Sequence, residues 1–134
     1  MSIQVATLQD YDYLVTHDMH ISSQMLRQKL EAGEILIVKE NTKPIGYLRY
    51  NYFWDNTPFM NLLLMEEAYR RKGLGRQLVQ YWETLMQEKG YARVMTSSFA
   101  NEDAQFFYRK LGYKDAGSLL LPDEALEIIF IKSL

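Results

Sequence analysis

Apolar and polar positions change period several times along this chain, and each change marks an element. Ile3 and Val5 alternate with polar neighbours, as in a short strand. Thr7 followed by Asp10 resembles a capping box, and the spacing predicts a helix over Leu8–Val15. Thr16–Ile21, which carries both histidines, His17 and His20, reads as a loop. Ser22 or Ser23 caps a second helix over Gln24–Ala32, closed by Gly33. The compact run Glu34–Lys39 predicts a strand, Glu40–Pro44 a turn, and Ile45–Trp54 a long aromatic strand. Asp55–Pro58 turns the chain, so that Phe59–Met65 pairs back on it.

A basic turn follows, and after it Leu74, Leu78, Tyr81, Trp82 and Leu85 fall on one side of a helix that ends before Gly90. Ala92–Phe99 is the next strand. Asn101 is placed to cap another helix, on which Ala104, Phe107, Tyr108 and Leu111 share a face up to Gly112. Tyr113–Leu121 and Ala125–Ser133 close the chain as a hairpin around Pro122. The string β-α-α-β-β-β-α-β-α-β-β predicts an α/β (α+β) fold with a mixed sheet. Its 59–99 portion predicts a parallel crossover.

Composition narrows the reading. A chain of 134 residues suits a single domain over 1–134 with a real core. With 15 basic and 17 acidic residues the net charge is −2, which disfavours nucleic acid as partner. There is no cysteine, hence no disulfide, thiol nucleophile or thiolate-held metal, and the two histidines alone signal no metal site. No stretch has the length of a membrane span and none opens as a signal peptide, so the expected location is cytoplasmic, with no membrane partner.

The chemistry concentrates in Asn61–Gln80. The apolar run Leu62–Met65 ends in a turn that carries Arg70, Arg71, Lys72, Gly73, Leu74, Gly75 and Arg76, and a helix starts there. The first turn of a helix offers N–H groups without partners at the positive end of its dipole, and glycine lets an anion approach them. Basic clusters are ordinarily solvated surface, so the turn alone does not establish a site. The P-loop pattern is absent, and the dinucleotide fingerprint is incomplete.

Arg70, Gly73 and Gly75 satisfy [RQ]-x-x-G-x-[GA]. This pattern resembles the acetyl-CoA pyrophosphate loop of the GNAT superfamily of N-acetyltransferases. A second stretch, NEDAQFFYRKLGY, is similar to the family's segment after its fifth strand: Asn101, Ala104, Phe107, Tyr108, Lys110, Gly112 and Tyr113 all match. The resemblance covers essentially the whole chain. It implies a mostly antiparallel sheet of six or seven strands, about four helices, and central strands that splay apart. It also implies direct acetyl transfer from acetyl-CoA to a primary amine of a small molecule or protein, with no covalent enzyme intermediate and no metal.

By that resemblance Leu63, Leu64 and Met65 pair with the pantetheine arm, and the Met65 N–H meets the thioester carbonyl. Arg70–Arg76 hold the pyrophosphate. Asn101, Ala104, Phe107 and Lys110 lie along the cofactor, and Tyr108 is the general acid. Tyr108 also reads as an ordinary core tyrosine on an apolar face. The chain departs from better-understood members in having no glutamate on the fourth strand, and Glu67 stands where many relatives have proline. Glu66, Asp55, His17, His20 or a water chain remain as bases. A catalytically silent acyl-CoA-binding sensor or partner domain is the alternative, and a monomer or a homodimer is equally compatible.

Overall fold

A computed structural model describes all residues, Met1–Leu134. Seven strands form one sheet in the order β1-β2-β3-β4-β5-β7-β6. They are β1 (Ser2–Val5), β2 (Ile35–Glu40), β3 (Lys43–Phe53), β4 (Thr57–Met65), β5 (Arg93–Phe99), β6 (Lys114–Leu119) and β7 (Glu127–Ser133). Four α-helices accompany it: α1 (Tyr11–His17), α2 (Ser23–Ala32), α3 (Leu74–Glu88) and α4 (Ala104–Lys110). The expected mixed, mostly antiparallel architecture is therefore the one observed. The chain divides into two compact units, Met1–Tyr50 with Leu62–Trp82, and Asn51–Asn61 with Glu83–Leu134. No helix is long and apolar enough to cross a membrane.

In the first unit β1 pairs antiparallel with β2, and β2 with β3. Pro44, expected in a turn, lies inside β3. The ladder shifts register between Val38 and Lys39, beside Pro44, and a shifted register tolerates a residue without an N–H. Ile35–Val38 and Ile45–Tyr50 are buried throughout, so both faces of these strands are covered. On one face Ile35, Ile37 and Tyr47 pack with Leu14 of α1 and Leu26 and Leu30 of α2, and Leu62 and Leu64 of β4 close over them. By alternation Leu63 and Met65 point to the opposite face.

Three local expectations are corrected. The first helix begins as a 3-10 turn, Leu8–Asp10, capped by Thr7 as anticipated, but α1 runs on to His17. Side-chain bonds from Thr16 to the Asp12 carbonyl (2.7 Å) and from His17 to the Tyr13 carbonyl (2.8 Å) finish its last turn, so His17 is helical, not in a loop. On α3 the buried stripe is Leu78, Val79, Trp82 and Met86, while Tyr81 is exposed. Asn101 does not cap α4, which starts three residues later at Ala104. There the Gln105 amide donates to the Ala100 and Glu102 carbonyls (2.8 and 2.9 Å), satisfying the turn without Asn101.

In the second unit β4 and β5 are parallel, as the crossover predicted, and their register covers Phe59↔Met95 and Met60↔Thr96. Strand β7 pairs antiparallel with both β5 and β6. The terminal strands are shorter than expected, and Leu119, Leu120 and Leu121 emerge exposed at the hairpin end.

Candidate active site

The basic turn of the first unit is built from backbone conformation. Arg71 and Gly73 both have left-handed backbones (φ 62° and 79°), and α3 begins at Leu74. Turn conformations of this kind are among those whose successive backbone N–H groups can make an anion-binding concavity. The Gly73 carbonyl accepts the Gln77 N–H at 3.1 Å, which makes Gly73 the residue that opens the helix. A Cβ built on Gly73 meets nothing within 4 Å, so the space over the turn is open to a ligand. Arg71, Lys72 and Arg76 are exposed, and Leu74 and Gly75 are half-buried.

Arg70 differs from its neighbours. Its Nε donates to the Met65 carbonyl at 2.8 Å, so it ties the turn to the end of β4. The Glu66 N–H donates to the Ile45 carbonyl at 2.9 Å, which extends the strand one residue further. Met65 is buried, while Leu63 and Leu64 are half-buried.

Beside this strand end lies a polar cluster that sequence reasoning only partly found. Glu66 Oε1 is 3.3 Å from His17 Nε2. The His17 ring stacks on Tyr13 with centroids 4.1 Å apart. Burial, then the Glu66 carboxylate, raises the Tyr13 phenol above its ordinary value. Burial, then the Asp18 carboxylate, does the same for Tyr47, against a smaller opposing effect of Arg49. Neither hydroxyl has a well-aligned hydrogen-bond partner, although both carboxylates are near. Asp18 is itself bound to Arg49 Nε at 2.7 Å, a buried ion pair. The sequence signal for this pair was Arg49 itself. A cation inside a strand buried on both faces requires a buried anion. Of the other candidate bases, His20 is exposed with its backbone N–H on Asp18 Oδ1 (3.0 Å), and Asp55 occupies the β3–β4 hairpin turn.

In the second unit Tyr108 lies on the buried face of α4 at 6% exposure. Tyr113 and Phe130 surround its ring at 5.8 and 6.0 Å. Burial pushes its phenol up to about 12, and Glu102 adds to this, while the neighbouring Thr96 hydroxyl opposes it. Thr96 donates to the Met60 carbonyl at 2.9 Å, across the β4–β5 pairing. Ala104 and Phe107 are half-buried on the same helix, and Asn101 and Lys110 are exposed. Glu83, which sequence reasoning did not single out, is buried and accepts from the Tyr113 hydroxyl (2.7 Å) and Lys132 Nζ (2.9 Å). No group of three or more His, Cys, Asp or Glu side chains is placed to hold a metal ion.

Comparison with known proteins bears on the fold and the family. A model of the family described as "Acetyltransferase (GNAT) family" matches residues 4–113. Over 95 residues the chain is 32% identical to a zebrafish (Danio rerio) protein named probable N-acetyltransferase 14, covering 69% of this chain. The match spans only 34% of that longer protein, about a third of its length. Among solved structures, a GNAT-family acetyltransferase from Bacillus cereus superposes with a TM-score of 0.81 at 24% identity, covering 98% of this chain and 96% of that one. PaiA N-acetyltransferase from Thermoplasma acidophilum, solved with coenzyme A, superposes with a TM-score of 0.80 at 17% identity, covering 99% and 98%. Such identities speak to the fold alone, but the family match over most of the length speaks to descent: this chain belongs to the GNAT acetyltransferase family.

Proposed function

We propose that residues 1–134 act as one catalytic domain that transfers the acetyl group of acetyl-CoA to a primary amine of a small molecule or protein. The observation that carries this reading is the left-handed Arg71–Gly73 turn opening α3, in a chain of this family. The N–H groups of the turn and the exposed Arg71, Lys72 and Arg76 bind the pyrophosphate. Leu63, Leu64 and Met65 receive the pantetheine arm as an added strand, and Asn101, Ala104, Phe107 and Lys110 flank it. The Met65 N–H donates to the thioester oxygen as negative charge develops there. The reaction needs only the two substrates. The amine lone pair attacks the carbonyl carbon, a C–N bond forms, and the C–S bond breaks with its electrons on sulfur.

Tyr108 acts on that sulfur as a hydrogen-bond donor. A phenol pushed up to about 12 holds its proton more tightly than an ordinary thiol, which ionises near about 8.5. It therefore stabilises the leaving thiolate while keeping its own proton. Monomer and homodimer, and a cytoplasmic location, remain compatible with this reading.

The test is thermal stability with and without acetyl-CoA, in the wild type and in Gly73→Glu. A ligand at a hundredfold its Kd adds about 2.7 kcal/mol, which raises the melting temperature by a few degrees. The variant carries its own backbone strain at φ 79°, costing about 1 kcal/mol, so its response is read against its own baseline. A wild-type shift lost in the variant supports the reading, and no shift at millimolar acetyl-CoA overturns it. The absence of any carboxylate in β4, Thr57–Met65, motivates a second reading, a domain that binds acyl-CoA without transfer. One amine turned over in a broad panel ends that alternative.

A further inference from the structure

We propose that the β3–β4 hairpin tip and the segment joining α3 to β5 form a second binding site, which takes a small planar aromatic carboxylate. The site lies within the second compact unit, contains no residue assigned to acetyl-CoA and does not depend on the transferase reading. A cavity of about 420 Å³ opens there, in the range of about 300–1,000 Å³ typical of small-molecule sites. Trp54, Asn56 and Thr57 line it from the hairpin, and residues 90–93 from the connection.

The backbone is strained to put a tryptophan at this place. Trp54 and Asp55 are the central residues of a tight turn closed by the Asn56 N–H on the Phe53 carbonyl (3.2 Å), and both are left-handed, at φ 56° and 61°. Such positions ordinarily take Gly, Asn or Asp, and a bulky side chain there is an outlier. The indole is nonetheless 79% exposed, so its own burial does not offset the strain. It rests on Phe53, with centroids 4.6 Å apart, and keeps most of its surface for a partner. The second ring, Tyr91, is held by Tyr52 at 5.4 Å. Two positioned rings at one cavity favour a flat, apolar ligand body that stacks on them. Gly90 (φ 96°) adds no side chain, and a Cβ built there meets nothing within 4 Å.

The polar groups select the ligand's charge. Arg93 is the only formally charged side chain in the lining, and it is exposed, with no ion pair or side-chain hydrogen bond. Asn56 Oδ1 accepts from the Thr57 hydroxyl at 2.9 Å, which leaves the Asn56 amide NH2 free to donate. The backbone N–H groups of Gly90 and Tyr91 are engaged by the Gln87 and Met86 carbonyls (3.0 and 3.1 Å). An anion is therefore met by the guanidinium and the amide, and a carboxylate accepts from both. No lining residue is acidic, and Asp55, beside Trp54 in the chain, is exposed and outside the lining, so a cationic ligand finds no counter-ion on the wall.

Proton–nitrogen NMR of the two tryptophan indoles tests this, because Trp82 is fully buried and Trp54→Phe assigns the pair. Benzoate should shift the Trp54 indole signal saturably and leave Trp82 in place. Benzamide is flat but neutral, and cyclohexanecarboxylate is charged but not flat. Each lacks one of the two contacts and should bind several-fold to about tenfold more weakly. Arg93→Gln should weaken benzoate about tenfold and leave the melting temperature unchanged, because the side chain is unpaired. Lys89→Gln removes an exposed charge that does not line the cavity and should leave benzoate binding intact. No response to millimolar benzoate, equal responses to the three probes, or equal losses in the two charge variants overturn the site. So does an indole signal that follows protein concentration instead of benzoate, because this face then joins two copies of the chain.

Discussion

A single hydroxyl separates two readings of Tyr108. As a core tyrosine, its oxygen only needs a neighbour, which Thr96 supplies. As a participant, it donates to a thiolate that exists only after C–S cleavage begins. Tyr108→Phe keeps the ring against Tyr113 and Phe130 and deletes the donor. Removing one such donor costs roughly a hundred- to thousandfold in kcat, while acetyl-CoA should still raise the melting temperature of the variant. The protonated phenol is the competent form and persists up to about pH 12, so Tyr108 should contribute no alkaline limb to the pH–rate profile below that value. An unchanged kcat in Tyr108→Phe would leave the residue a purely structural role. The match of NEDAQFFYRKLGY made this position legible in the sequence. The Asp18–Arg49 pair was legible only by half: Arg49 in an apolar strand calls for a buried anion, but its partner lies 31 residues away and no local pattern names it.

At the scale of elements, strand and helix identities followed from periodicity, because burial on one face imposes its period on the sequence. The misreadings cluster at ends, where side chains decide: His17 prolongs α1 by bonding back to Tyr13, and α4 starts at Ala104 with no side-chain cap while the Gln105 amide ties the preceding turn through its carbonyls. Gly46 shows a further limit. A Cβ there would stand 2.7 Å from the Leu64 carbonyl oxygen and closer still to the Met65 sulfur, a constraint set by tertiary packing rather than by any local pattern. The methionine side chain can move aside, but the backbone of β4 cannot without displacing the strand end. Gly46→Ala should therefore destabilise by about 1–3 kcal/mol, as overpacking does, and lower the melting temperature by several degrees. Because the displaced residues are those assigned to the pantetheine arm, stabilisation by acetyl-CoA should shrink as well. A variant as stable as wild type, with full response to acetyl-CoA, would show that β4 has slack at this point.

Across the whole molecule, burial has been imposed on phenols in both compact units. Tyr13 and Tyr47 in one, and Tyr108 and Tyr113 in the other, all have their ionisation raised, with burial as the largest cause. Glu83 adds to the effect on Tyr113. A raised phenol binds its proton more tightly folded than unfolded. Its contribution to stability is complete below about pH 10, the unfolded value, and is lost as pH climbs through the folded value. For Tyr108 that window runs from about 10 to about 12, and two pH units correspond to about 3 kcal/mol. The other three phenols act in the same direction, so stability falls further as pH climbs above about 10, in a domain whose total stability is only about 5–15 kcal/mol. Alkaline unfolding should therefore be cooperative, with phenolate absorbance rising in step with loss of the circular dichroism signal. Replacing Tyr108 by Phe should push the midpoint to higher pH, since one buried proton no longer has to be lost. If all ten tyrosines ionised together near pH 10 with the fold intact, the buried phenols would have to be solvated, and the hydrogen-bond donor assigned to the thiolate would lose its physical basis.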